Sequence, residues 1–166
     1  MAVDDFQYLP RSFAPTYDAI PPLDEPPVWT APRRPVTEAT VAALTSAGVY
    51  LPASQDPFDA ERERREPTWG DPSWRSIPAT VDHDDIDAVH LHIDTSPLLE
   101  DLDVALPLRT LRSLEQDGRI GTVAPTHVSV MGYQERSCAV WRTETGPAIA
   151  RFLGEIGVEV LLLAPA

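Results

Sequence analysis

Two histidines and an aspartate alternate in the run His90-Leu91-His92-Ile93-Asp94. A β-strand repeats every two residues, so a strand here would turn all three polar groups to one face and send Val89, Leu91 and Ile93 into a core. Neutral imidazole and carboxylate are ligands for Zn, Fe or Mn, and a set of three leaves positions open for water or substrate. His90, His92 and Asp94 are therefore the candidate metal ligands, with His127 of Pro125-Thr126-His127 as a fourth. Asp94 is also the candidate catalytic base for a bound water. The competing account is a polar strand end whose histidines bond to nearby acids, and on sequence alone both stay open.

Other reactive residue types have plainer explanations. Asp82, His83, Asp84 and Asp85 read as a solvated turn before a strand. Cys138 has only Arg136 and Arg142 near it in sequence to lower a thiol pKa, and it reads as an ordinary free cysteine. The glycines at 118 and 121 lack the full pattern of a phosphate loop and fit helix termination better, so no nucleotide cofactor is expected. Ser129 and Ser137 have no partner arrangement that marks an acyl-transfer nucleophile.

Bulk composition narrows the choice further. The 166 residues carry a net charge of −13, and that repels phosphate backbones and acidic membrane surfaces alike. All 13 basic residues are arginine, so neither a lysine Schiff base nor a phosphate-gripping lysine is available. A single cysteine forms no internal disulfide, no signal-peptide pattern opens the chain, and no apolar run reaches the roughly 18 residues of a membrane span. These features imply a cytoplasmic protein with neither nucleic acid nor membrane as partner.

The elements that must hold the candidate residues follow from periodicity. Eight of the 18 prolines fall in the first 35 residues, where fixed φ and missing N–H groups exclude a helix or central strand. Residues 1–38 are expected to form an extended arm packing on the domain or on a partner, and residues 39–166 a single α/β domain. Residues 40–45 read as a buried strand leading into Ser46-Ala47-Gly48, a small-residue turn of the kind that holds anions or substrates, so Ser46 and Gly48 are candidate substrate-binding residues. Residues 56–73 read as a long polar loop, followed by strands at 75–77, 86–92 and 104–106. Apolar residues at 108, 111 and 114 give a helix over 108–116 ended by Gly118. A second helix is expected over 143–156, then Gly157 and an almost wholly apolar strand at 158–163. Helix, glycine, buried strand implies a three-layer α/β fold with a mostly parallel central sheet and flanking helices.

Several segments, taken in order, resemble the selenoprotein B component of glycine, sarcosine, betaine and D-proline reductases. They include Gly48-Val49-Tyr50-Leu51, Pro57-Phe58-Asp59, Gly70-Asp71-Pro72-Ser73-Trp74-Arg75-Ser76-Ile77-Pro78 and the His90 run. Further on come Pro107-Leu108-Arg109-Thr110-Leu111, Gly118-Arg119-Ile120-Gly121, Met131-Gly132-Tyr133 and Gly157-Val158-Glu159-Val160-Leu161-Leu162-Leu163. The resemblance implies chemistry in which a selenocysteine or cysteine, placed just after the last strand, attacks the substrate's Cα and expels the amine. It also implies a truncated relative in which a companion subunit supplies that Cys or Sec segment. The resulting expectation is one half of a two-component enzyme acting on a small amine or amino acid. The alternatives are a catalytically silent interaction subunit and a stand-alone metal-dependent enzyme.

Overall fold

The computed structural model describes residues 30–135 and 137–166; residues 1–29 of the expected arm lie outside them. Pro32–Ala166 form one compact unit. Its axis is β1 (Thr40–Thr45), whose sequence Thr-Val-Ala-Ala-Leu-Thr is apolar between two threonines and suits a strand covered on both faces. Val41 and Ala43 belong to one buried cluster, and Ala42 to another.

Both edges of β1 are occupied. On one, β7 (Val160–Ala164) runs parallel to it, with Val41 opposite Val160 and Thr45 opposite Ala164. On the other, β5 (Thr122–Val123) pairs parallel with its start and β6 (Thr126–Val130) pairs parallel with its end. β3 (Trp74–Pro78) adds antiparallel to β6 and makes the sheet mixed. A second, two-stranded sheet joins β2 (Val49–Tyr50) to β4 (Asp87–Ala88).

Among the described residues, four α-helices accompany the strands: α1 (Ala60–Arg65), α2 (Ser96–Glu100), α3 (Leu108–Gln116) and α4 (Gly146–Glu155). Leu108 and Leu111 of α3 pack with Val41 and Ala43, while Ile149 and Leu153 of α4 pack with Ala42, Val128 and Val130. Helices thus cover both faces of the sheet, as the periodicity implies. None of the described helices is long and apolar enough to cross a membrane.

Helix α3 spans the expected residues, and its ends explain why. The Asp103 carboxylate accepts the backbone N–H groups of Arg109 and Thr110 and the Thr110 hydroxyl, satisfying donors that the first turn leaves open. At the other end Gly118 adopts φ +66° and Arg119 N–H returns to the Leu114 carbonyl. The second helix departs from expectation. Residues Trp141–Thr145 form a π-helical turn in which Gly146 N–H reaches the Trp141 carbonyl. Pro147 has no N–H to offer the carbonyl of Thr143, so a regular ladder cannot run through this point.

Two expected strands are corrected. Residues 104–106 do not form a strand, because Leu102–Val104 is a 3-10 turn closed by Asp101 accepting the N–H of Asp103. Of residues 86–92 only Asp87–Ala88 are extended in a ladder, and the last backbone link is Val89 N–H to the Gly48 carbonyl. Beyond it His92 N–H bonds to the His90 Nδ1 at 3.1 Å instead of to a neighbouring strand. A local side-chain acceptor has replaced the ladder. The polar loop at 56–73 also contains α1, capped by Asp59 accepting Arg62 N–H.

His127 sits in the sheet with no solvent exposure, and its Nδ1 accepts Ala43 N–H at 3.0 Å. Pro125 interrupts the β5–β6 run, so the ring supplies the acceptor that this central N–H needs. Burial, and then the Arg112 charge, lower the His127 pKa from 6.5 to about 4. The unfolded chain therefore binds a proton between pH 6.5 and 4 that the native protein refuses. The neutral ring's contribution to stability is complete above pH 6.5 and is lost as the pH falls toward 4, amounting to about 3 kcal/mol. Urea denaturation at pH 7 and pH 4.5 should show wild type losing about 2–3 kcal/mol more than His127→Gln. An equal loss in both proteins assigns the acid sensitivity to other groups.

The turn after β1 makes a second prediction. Gly48 has φ +68°, and a Cβ there would overlap the Val89 carbonyl and lie 2.9 Å from the Met131 sulfur. Gly118 has nearly the same φ but faces open space. Gly118→Ala should cost about 1 kcal/mol, whereas Gly48→Ala should cost about 3 kcal/mol because backbone must also move. Matched denaturation midpoints for the two variants would contradict this.

Candidate functional site

The polar segment before β3 is held down by its own acids and by one arginine. Asp71 accepts the N–H groups of Asp59 and Ser73. Arg75 donates to the carbonyls of Asp56 and Pro57, and its guanidinium lies 4.3 Å over the Phe58 ring. These contacts fix the start of α1. Ala60 and Glu63, one turn apart, then face inward and are buried. The helix Ala-Glu-Arg-Glu-Arg-Arg thereby places a carboxylate where only 2% of the side chain is exposed.

His92 meets that carboxylate. Its Nε2 lies 2.7 Å from Glu63 Oε1, although half of the imidazole remains exposed. Tyr133, in the segment after β6, stacks on the ring with centroids 4.6 Å apart and planes inclined by 35°. The Tyr133 hydroxyl donates to the Pro67 carbonyl. Gly70 lies against the Tyr133 carbonyl so closely that any Cβ would collide with it. His90 completes the group, with its ring 5.9 Å from His92 and nearly perpendicular to it. Burial, and then the charge of His92, lower the His90 pKa.

The other expected ligands lie elsewhere. Asp94 is exposed, and its Oδ1 accepts Ser96 N–H at 2.9 Å at the start of α2. That backbone bond, and then the Ser96 side chain, hold the Asp94 carboxyl below the usual range. His127 is engaged with Ala43 inside the sheet. Among the described residues no three His, Cys, Asp or Glu side chains are grouped to hold a metal ion. The acid that joins the histidines is Glu63, which the alternating pattern around residues 90–94 does not reach. A usable signal exists in its helical offset from Ala60, behind an Asp59 cap.

A separate cleft of about 510 Å³ opens at the carboxyl ends of β1, β6 and β7. Leu44, Val130, Met131 and Trp141 make its walls largely apolar, with Ser46 and Cys138 among the polar residues at its border. Ser46 lies in the turn after β1, at the border of this cleft. Its hydroxyl accepts Ala166 N–H and its own N–H reaches the Ala164 carbonyl, which ties the turn after β1 to the end of β7. Gly48 does not line the cleft; it supplies the left-handed turn and the backbone bonds to Val130 and Val89. Cys138 has φ +49° and donates its thiol to the Glu135 carbonyl.

A family model described as glycine/sarcosine/betaine reductase selenoprotein B matches residues 12–165. The chain is 33% identical over 145 residues to the D-proline reductase subunit gamma of Acetoanaerobium sticklandii, an alignment covering 86% of this chain and 54% of that protein. It therefore spans about half the length of that relative. No solved structure matches the chain. The match over nearly all of its length shows that the chain belongs to the glycine/sarcosine/betaine reductase selenoprotein B family.

Proposed function

We propose that the chain works as one subunit of a two-component enzyme acting on a small amine or amino acid, with a companion chain supplying the Cys or Sec. The reading is supported most by the cleft at the carboxyl ends of three neighbouring strands, the position where open α/β sheets take their ligands. Its apolar walls would exclude water from a small substrate, and the Ser46 hydroxyl supplies a polar group at the border. The related protein is named as a subunit, in keeping with a partner here. A divalent ion on His90 and His92 forms no part of this reading. His92 Nε2 is engaged by Glu63, and His90 Nδ1 by a backbone N–H.

The test is reconstitution of the purified full chain with a Cys- or Sec-bearing chain encoded beside it. Turnover of a small amine or amino acid should require both proteins. Ser46→Ala should raise KM about five- to thirtyfold through the loss of one hydrogen bond worth roughly 1–2 kcal/mol, with kcat little changed. Turnover by this chain alone would favour a stand-alone enzyme. Co-purification of the two chains with no effect of cleft variants would favour a silent interaction subunit.

A further inference from the structure

We propose that Glu63 and His92 form a carboxylate–imidazole couple that takes up a proton from a ligand's N–H or S–H group at His92 Nδ1. The first support is an asymmetry. A surface ion pair exposes both partners and a structural buried pair hides both, but here the carboxylate side chain is 2% exposed and the imidazole 50%. A buried carboxylate holding a solvent-facing imidazole is the arrangement of an oriented base.

Hydrogen-bond roles then determine which nitrogen works. A carboxylate only accepts, so the His92 proton toward Glu63 lies on Nε2 and donates across the 2.7 Å contact. In the neutral ring this leaves the lone pair on Nδ1, which carries no hydrogen bond among the described residues. Ring orientation is set from two directions, by Glu63 at the Nε2 edge and by Tyr133 against the face. Tyr133 is itself anchored on Pro67. Among the described residues, Glu63 from α1, Tyr133 from the segment after β6, and the neighbouring His90 are the titratable groups in contact with His92.

Two further atoms of the group are buried without a hydrogen-bond partner among the described residues. Glu63 Oε2 is buried and has no donor among the described residues. His90 Nδ1 accepts the His92 N–H, so the neutral ring carries its proton on Nε2, and that buried N–H has no acceptor among the described residues. An acceptor without a donor and a donor without an acceptor in one small cluster are costly in a purely structural contact. Each suits a bound water or a polar group that reaches into the cluster.

In the proposed step the bond from hydrogen to the ligand's nitrogen or sulfur breaks and its electron pair stays on that atom. The proton forms a bond to Nδ1, and the resulting imidazolium keeps its Nε2–H on Glu63. Reversal returns the proton, and no oxidant or reductant is required. Only the identity of the ligand rests on the two-component reading.

Two measurements decide the matter. Nitrogen-15 NMR of the histidine rings in the full chain should show His92 protonated at Nε2 with a bare Nδ1; the opposite tautomer overturns the proposal. In the reconstituted mixture His92→Gln keeps an N–H for Glu63 and with it the fold, but has no basic nitrogen. It should lose about 100-fold or more in kcat with KM nearly unchanged, and added imidazole should restore part of the activity of His92→Ala. Wild-type kcat in His92→Gln overturns the couple. If wild-type components show no turnover on mixing, the two-component reading fails, and the tautomer still decides the couple.

Discussion

Val41, Ala42, Ala43 and Thr45 of β1 are buried, and the backbone groups shut away with them must find partners inside the protein. β7 answers along one edge. Along the other, β5 and β6 do so at the two ends, and where Pro125 separates them a histidine ring fills the gap at Ala43. The site inherits its position from this requirement. The Ser46–Gly48 turn leaves the end of β1, the Tyr133 segment leaves the end of β6, and Gly48 N–H ties the two together through the Val130 carbonyl. The Val89 N–H bond to Gly48 then hangs the His90 and His92 segment on the same turn.

The acids play a different part from the one their number suggests. Residues 54–103 carry 14 acidic side chains against four arginines. Asp59, Asp71, Asp94, Asp101 and Asp103 each accept backbone N–H groups that would otherwise be unpaired in turns and helix starts. They build the irregular connections on which α1 and the histidine segment ride. Glu63 differs from these five, since its carboxylate is buried and meets an imidazole. Part of the local charge excess is thus turn chemistry, and Glu63 is drawn into the site.

Much of the scaffold was legible in the sequence because it depends on short-range regularities. The Leu108, Leu111 and Leu114 spacing ended by Gly118 marks α3, and the apolar residues 40–45 and 158–163 mark the paired strands. The family resemblance rests on segments spread over most of the chain, and the match over residues 12–165 bears it out. Misreadings cluster where a polar side chain competes with the backbone for hydrogen bonds. Alternation at 86–92 predicts a strand, yet His90 Nδ1 captures the N–H of His92, and Asp101 closes a turn where a strand at 104–106 was expected.

By itself the sequence determined the three-layer α/β scaffold, the turn after β1 that carries Ser46, and the proximity of His90 to His92, since all of these follow from residues close along the chain. Only the tertiary structure decided which acid completes the histidine cluster. Glu63 lies 29 positions away from His92 on a helix whose pattern looks solvent-facing, and the two meet only because Arg75, Asp71 and Tyr133 bring their segments together. Hydrogen bonding between distant segments depends on how the chain packs, and local spacing carries no record of that.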